Sequence, residues 1–283
     1  MSRLFDALKR AQGEAADVAL DIIERAGTVS LGDAAGHVVP RIADESRRDG
    51  VRVIPIQPPA PATVLPFGAG SRAGEQYRII RTKLVHHPAQ PRFFVVTSPG
   101  PGDGKTTTAI NLAGVLALRE GCDVLLLDAD LRRPNVARTL GIQGSEGLAN
   151  VLAGTAFHDV VSRIEPLPNL HVLPAGIARR NPAELLDSGG WRDLCHRVRS
   201  EFRFVVVDGP PVETVADYEL IQAVSDGVLM VVRPDHTEKA SCARALKQVP
   251  KEKLLGLVMN HVEDWFFGKR TGYYYYDGEQ PSK

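Results

Sequence analysis

The residues able to do chemistry lie in four short stretches, and the most informative reads Thr97-Ser98-Pro99-Gly100-Pro101-Gly102-Asp103-Gly104-Lys105-Thr106-Thr107. Small, turn-forming residues let a backbone wrap closely around phosphate with its N–H groups pointing inward. A helix opening at Gly104 adds the partial positive field of its free N–H groups. In such a loop Lys105 reaches the β- and γ-phosphates of a nucleotide, and the Thr106 hydroxyl ligates Mg²⁺. Pro101, Gly102, Asp103, Gly104, Lys105, Thr106 and Thr107 are therefore the expected ATP contacts. The usual pattern has glycine five positions before Gly104, where this chain has Pro99. A plain strand-to-helix turn would also use glycine and proline, but would not need the Gly-Lys-Thr ending.

Two further stretches supply carboxylates. Leu125-Leu126-Leu127-Asp128-Ala129-Asp130-Leu131-Arg132-Arg133-Pro134 places two acids at spacing two just past an apolar run. That puts both on the side where the ligand crevice of such a fold opens, able to hold the metal or its water and to accept a proton. Helix capping by Asp130 accounts for one acid, not for both. Phe204-Val205-Val206-Val207-Asp208-Gly209-Pro210-Pro211 ends a second apolar run in a third acid, like the magnesium-side motif of P-loop enzymes. Three carboxylates near one site repel each other unless Mg²⁺ and Lys105 offset them. Thr106, Asp128 and Asp208 are the expected metal-side residues; Lys105, Asp128 and Asp130 are the expected catalytic ones.

The fourth stretch is Tyr273, Tyr274, Tyr275 and Tyr276, followed by Asp277-Gly278-Glu279, and it holds four of the six tyrosines in the chain. An edge strand or a sticky contact would use tyrosine too. Set on a polar-flanked tail, the cluster also reads as a phosphate acceptor. A phenol near pKa 10 must lose its proton as it attacks, so a carboxylate is needed where the γ-phosphate lies. Asp128 and Asp130 are both candidates for that base, and the spacing does not separate them.

The elements that must position these residues follow from periodicity. Apolar runs at 93–97, 124–127, 170–173, 204–207, 228–232 and 254–259 predict buried strands. Helical patterns at 73–85, 104–119, 191–199, 217–224 and 238–249 fall between them. Short apolar strands alternating with helices predict an α/β fold, a mostly parallel sheet with helices on both faces. Residues 1–50 predict a short helical extension, with one apolar stripe at Leu4, Phe5 and Leu8 and another at Val18, Ala19, Ile22, Ile23 and Ala26. Pro55, Pro58, Pro59, Pro61 and Pro66, with Gly68 and Gly70, predict an extended linker over 51–70. The main domain is expected over 71–262 and a flexible tail over 263–283.

Composition sets outer limits. The chain has 283 residues, with 34 Lys and Arg against 34 Asp and Glu, and this zero net charge removes the general electrostatic case for nucleic-acid binding. Cys122, Cys195 and Cys242 form neither a disulfide framework nor a zinc pattern, so buried thiols are expected. No apolar run has the length of a membrane span, and the first ten residues do not read as a signal peptide, so a cytoplasmic location is expected. His86, His87 and His261 lack metal-ligand spacing. Arg132 and Arg133 are suited to phosphate, acceptor or a neighbouring subunit.

Taken in order, these motifs resemble the bacterial tyrosine kinases (BY-kinases) of exopolysaccharide and capsule biosynthesis, in their separate cytoplasmic form, over roughly 71–276. The phosphate loop without its leading glycine, the Leu127–Pro134 acidic motif and Val207-Asp208-Gly209-Pro210-Pro211 carry the resemblance. It implies a P-loop kinase using ATP and Mg²⁺, with Tyr273 to Tyr276 as the autophosphorylated segment. It also implies that Glu75, Arg78 and Arg81, which can share one helical face, contact the next subunit of a ring-shaped homo-oligomer. The implied partners are a membrane-anchored activator of the polysaccharide co-polymerase type, which recruits the kinase to the inner membrane face, and a cognate tyrosine phosphatase. Two rivals share the fold. A partitioning-type ATPase carries a second lysine near the start of the loop, where this chain has Gly100. A scaffolding ATPase of the polysaccharide machinery would use its tyrosines only for contacts.

Overall fold

A computed structural model of the chain describes residues 51–58, 71–144, 146–213 and 216–262. The expected N-terminal helices, most of the expected linker and the tyrosine tail lie outside the described residues.

The centre of the molecule is built from strands with no exposed side. β1 spans Arg52–Pro55, β2 Phe93–Thr97, β3 Val124–Asp128, β4 Ser162–Glu165, β5 Leu167–Leu173, β6 Phe204–Asp208, β7 Gly227–Val232 and β8 Leu254–Met259. They form one sheet in the order β1-β4-β5-β3-β6-β2-β7-β8. Every residue of β2, β3, β6 and β7 is buried, as strands covered on both faces must be. Alternation along them divides the core. Phe94, Val96, Leu126 and Val206 face one layer with Ile110, Leu112 and Leu116, while Phe93, Val95, Leu125, Leu127 and Val207 face the other with Trp191, Leu194 and Val198.

Among the described residues five helices occupy the expected places, and four short ones lie between the second and third of these where none is expected. α1 is Arg72–Val85, α2 Lys105–Ala117, α3 Val136–Leu140, α4 Leu148–Leu152 and α5 Phe157–Val160. α6 is Pro182–Leu186, α7 Gly189–Glu201, α8 Asp217–Ala223 and α9 Lys239–Gln248. Ser71 caps α1, its hydroxyl accepting from the Gly74 N–H at 3.1 Å. α2 has no side-chain cap; Gly104 precedes it in the left-handed region, which leaves the first N–H groups of the helix open to a ligand. The long apolar α2 lies against one face of the sheet and α7 against the other. The three cysteines are free and buried. Among the described residues no helix is long and apolar enough to cross a membrane.

One edge corrects the sequence reading. Arg52–Pro55, expected within the linker, is instead strand β1, paired in parallel with β4. Pro55 lacks a donor, which an edge strand tolerates because one side of its backbone needs no partner. The Gln57 N–H then bonds the Leu140 carbonyl at 3.1 Å, fixing the chain where it leaves the sheet. β4 was not expected, since Ser162-Arg163-Ile164-Glu165 offers one aliphatic residue, and it makes an antiparallel hairpin with β5 that begins three residues earlier than the apolar run. β2, β3, β5, β6, β7 and β8 all run the same way, so the loops leaving β2, β3, β5 and β6 emerge at one edge.

Candidate active site

The phosphate loop joins β2 to α2, as its sequence requires. Gly102 and Gly104 have φ of +88° and +91°, a region that disfavours a side chain. Space excludes one as well. A Cβ on Gly104 would lie 1.9 Å from Asn260 Nδ2, and one on Gly102 2.9 Å from His236 Nε2. Asp103 is buried, and its carboxylate accepts from Thr237 Oγ1 at 2.6 Å and from the Gly100 N–H at 3.3 Å. Its carbonyl accepts from Asn260 Nδ2 at 2.9 Å. The Asp103 side chain thus holds the loop in shape, and the backbone is what the loop presents outward. Thr97 Oγ1 donates to the Pro210 carbonyl at 2.6 Å and the Val212 N–H to the Ser98 carbonyl at 2.9 Å, tying the loop to the segment after β6.

The three acids meet here. β3 and β6 pair in a register that sets Asp128 opposite Asp208. Lys105 Nζ lies 2.9 Å from Asp130 Oδ2 and 3.6 Å from Asp208 Oδ1, while Thr106 Oγ1 donates to Asp208 Oδ2 at 2.7 Å. Asp128 is used differently. Its Oδ1 accepts the Asp130 N–H at 3.2 Å, and its Oδ2 accepts the N–H groups of Asn135 at 3.1 Å and Val136 at 3.0 Å. Both its oxygens therefore shape the loop that carries Asp130.

Burial and crowding set the charges. Burial, then the negative Asp208 beside it, pushes the Asp128 carboxyl up to about 7, although the Val136 and Asn135 N–H groups and Lys105 pull the other way. Burial also raises Asp208 above the usual carboxylate range against the pull of Lys105 and Thr106. Burial alone would lower Lys105, but Asp208, Asp130 and Asp128 together hold it above its ordinary value. One oxygen, Asp208 Oδ1, is buried with no hydrogen-bond partner. The Lys105 ammonium 3.6 Å away offsets part of its charge, but a buried oxygen without a hydrogen bond still costs free energy. Among the described residues no three His, Cys, Asp or Glu form a metal cluster by themselves. Mg²⁺ does not need one, since it takes one or two carboxylates and completes its shell with phosphate and water. The orphaned Asp208 Oδ1 and the adjacent Thr106 hydroxyl fit that demand.

Comparison with known proteins decides the family. Residues 94–253, more than half of the chain, match the family described as AAA domain. Tyrosine-protein kinase YwqD of Bacillus subtilis is 37% identical over 209 residues, covering 70% of this chain and 88% of that protein. The chimerical protein CapA2B2 superposes with a TM-score of 0.65 at 29% identity, over 77% of this chain and 98% of that one. The kinase domain of the Escherichia coli tyrosine kinase ETK gives 0.63 at 25% identity, over 84% and 99%. The chain belongs to the bacterial tyrosine kinases of exopolysaccharide and capsule biosynthesis.

In this BY-kinase, Arg132 has a partner that its motif does not reveal. Its Nε lies 2.8 Å and its Nη2 3.1 Å from the two oxygens of Asp217, a buried carboxylate at the start of α8. This two-point grip ties the loop after β3 to the segment after β6. The Arg133 N–H donates to Asp130 Oδ1 at 3.0 Å, while its side chain is exposed. On α1, Glu75 and Arg78 pair with each other, and Arg81 Nη1 donates to the Val115 carbonyl at 3.3 Å. His87 and His261 line a cleft of about 760 Å³ between α1 and β8, apart from the acids. Tyr273 to Tyr276 lie outside the described residues.

Sequence reasoning missed the residues that back the loop. Asn260 directly follows β8, and a polar residue closing an apolar run was the available signal. His236 and Thr237 sit in a turn after β7 with no motif of their own. Asp217 reads in sequence as an ordinary acidic helix start.

Proposed function

We propose that this chain is an ATP-dependent protein-tyrosine kinase that phosphorylates the cluster Tyr273 to Tyr276 and thereby regulates exopolysaccharide polymerisation and export. One observation carries the reading: Lys105 and Thr106 of the phosphate loop contact acids from two different strand ends, beside a buried carboxylate oxygen that accepts no hydrogen bond. Family membership supplies the reaction class.

The residues divide the work. Backbone N–H groups from Pro101 to Thr107 hold the phosphates. Lys105, held between Asp130 and Asp208, exchanges these anions for phosphate oxygens of the nucleotide. Thr106 and Asp208 would hold Mg²⁺, which when bound offsets charge on the phosphates. Asp128 fixes the loop by its three N–H contacts. The tyrosine hydroxyl needs a base on the open side of that loop, and Asp130, which faces Lys105, takes this proton. The Asp128 carboxyl is pushed up to about 7, but both its oxygens are engaged and it is fully buried, and geometry comes before pKa in choosing a base.

In this proposal the kinase works in the cytoplasm as a ring-shaped homo-oligomer, the α1 face of Glu75, Arg78 and Arg81 meeting a neighbouring copy whose site receives the tail. A membrane-anchored activator of the polysaccharide co-polymerase type recruits it, and a cognate phosphatase reverses its action. Each phosphate adds about −1.5 to −2 charges, so a multiply phosphorylated tail is repelled by the acidic site and the ring loosens. Incubation with labelled ATP, Mg²⁺ and the activator's cytoplasmic segment tests the reading. Label on the tail that vanishes with Tyr273, Tyr274, Tyr275 and Tyr276 replaced by Phe supports it. Free phosphate without labelled protein leaves a scaffolding ATPase instead.

A further inference from the structure

Beside the site lies a cationic loop that none of these roles uses. Residues 174–181 leave β5 at the same edge as the phosphate loop, and Leu173, the last residue of β5, pairs with Leu127, the residue before Asp128. Both ends of the loop are fixed. The Pro174 and Ala175 carbonyls accept from the Leu148 and Ala149 N–H groups at 2.7 and 2.9 Å, and the Asn181 side chain caps α6 through the Ala183 N–H at 3.1 Å. α6 packs on α8, whose Asp217 grips Arg132, and this keeps the loop beside the acids.

Between those anchors the loop presents an unusual surface. Ile177 is 62% exposed, the highest value among the exposed large hydrophobic residues described. Arg179 and Arg180 follow, both exposed, and among the described residues neither guanidinium has an ion pair or a side-chain hydrogen bond. Arg133, on the loop after β3, is exposed as well. The loop packs Ala175 and Ala178 against the core and leaves Ile177, Arg179 and Arg180 to solvent. It is suited to an anionic, partly aromatic ligand, since arginine pairs with carboxylates and stacks on aromatic rings.

Resting on the kinase reading above, we propose that this loop is the docking surface for the acceptor segment of a neighbouring copy, with Arg179 and Arg180 recognising Asp277 and Glu279. Those acids stand one and three residues beyond Tyr276. The spacing fits. A tyrosine whose proton goes to Asp130 sits past the end of β3, one strand spacing of about 5 Å from β5, and three or four extended residues, about 10–13 Å, reach from there into the loop that follows β5. Tyr273 to Asp277 is four residues and Tyr276 to Glu279 three. Exposed charge pairs are individually weak, so the loop sets how often and in which register the tail arrives, and the chemistry stays with the acids and Lys105.

Two full-length proteins test this. The enzyme copy has its four tail tyrosines replaced by Phe, and the acceptor copy carries Lys105→Met. With Mg²⁺ and the activator's cytoplasmic segment present, label transferred from ATP is followed at limiting acceptor. Asp277→Lys with Glu279→Lys in the acceptor, or Arg179→Glu with Arg180→Glu in the enzyme, slows transfer about tenfold, and combining the two restores it to within about threefold. Thermal melting of the enzyme variants shows that they fold; should the arginine variants fail to fold, the acceptor-side exchange alone decides. Unchanged transfer after that exchange, or a combined exchange no faster than either alone, overturns the docking proposal. Absence of transfer between the unsubstituted pair overturns the kinase reading and this one with it, a result distinct from either of those.

Discussion

The centre of the sheet and its β1–β4 edge follow opposite rules. In the centre, β2, β3 and β6 are buried along their whole length, and their carboxyl ends deliver Lys105, Asp128 and Asp208 to one point. At the edge, Arg52–Pro55 and Ser162–Glu165 are partly exposed and held by backbone pairing more than by side chains. The centre sacrifices stability for chemistry. It buries three acids beside a half-buried lysine and leaves Asp208 Oδ1 without a hydrogen bond. The edge carries no such strain, so changes in the two regions have different consequences.

Lys105→Met is the harshest test of the centre. Loss of the only cation between Asp130 and Asp208 is expected to weaken nucleotide binding at least about a hundredfold by calorimetry and to abolish tail labelling. Gly104→Ala comes next. It forces a side chain into the left-handed region and onto Asn260, so nucleotide affinity falls more than about tenfold and unfolding by urea shows a loss of about 1–2 kcal/mol. Arg132→Ala leaves Asp217 buried and alone; since the guanidinium is 43% exposed, the loss is about 1–2 kcal/mol rather than the larger figure for a fully buried pair. The charge state of the centre gives a smaller signal. The Asp128 carboxyl, at about 7, lies above its ordinary value, so between about pH 4 and 7 the folded chain holds a proton that the unfolded chain has released. Stability of the nucleotide-free protein therefore falls as pH rises through that window, and Asp128→Asn removes this part of the slope in melting curves. At the edge, Val53→Thr, at a position 39% exposed, is expected to change stability by less than about 0.5 kcal/mol and leave labelling intact. A large effect there would break the contrast between the regions.

The same contrast explains what could be read without coordinates. Central strands appear as uninterrupted apolar runs because both faces are covered, and β2 was placed to the residue, as was the half-buried edge strand β8, whose run is equally apolar. The site was legible where chemistry dictates residue type at fixed spacing, as in Gly104-Lys105-Thr106 or the acids ending β3 and β6. Ser162–Glu165 was invisible, because an edge strand with one aliphatic residue leaves no pattern. The short helices α3 to α6 span too few residues to show a period. The supports of the site were equally hidden. Asn260, Thr237 and Asp217 act through contacts with residues far away in the chain, and Asp103, expected against the nucleotide, has its carboxylate committed to Thr237 and Gly100. Arg132 had several suitable roles in sequence, and its grip on Asp217 came from a helix 85 positions away.

The central claim is that Lys105 leaves Asp130 for phosphate while Thr106 and Asp208 turn their oxygens to magnesium. A crystal structure with Mg²⁺ and a non-hydrolysable ATP analogue tests it most directly. The account predicts Lys105 Nζ within hydrogen-bond distance of the β- and γ-phosphates, with Asp208 Oδ1 and Thr106 Oγ1 in the magnesium shell or one water from it. A nucleotide bound elsewhere, with Lys105 still on Asp130 and Asp208 Oδ1 still without a partner, would contradict it.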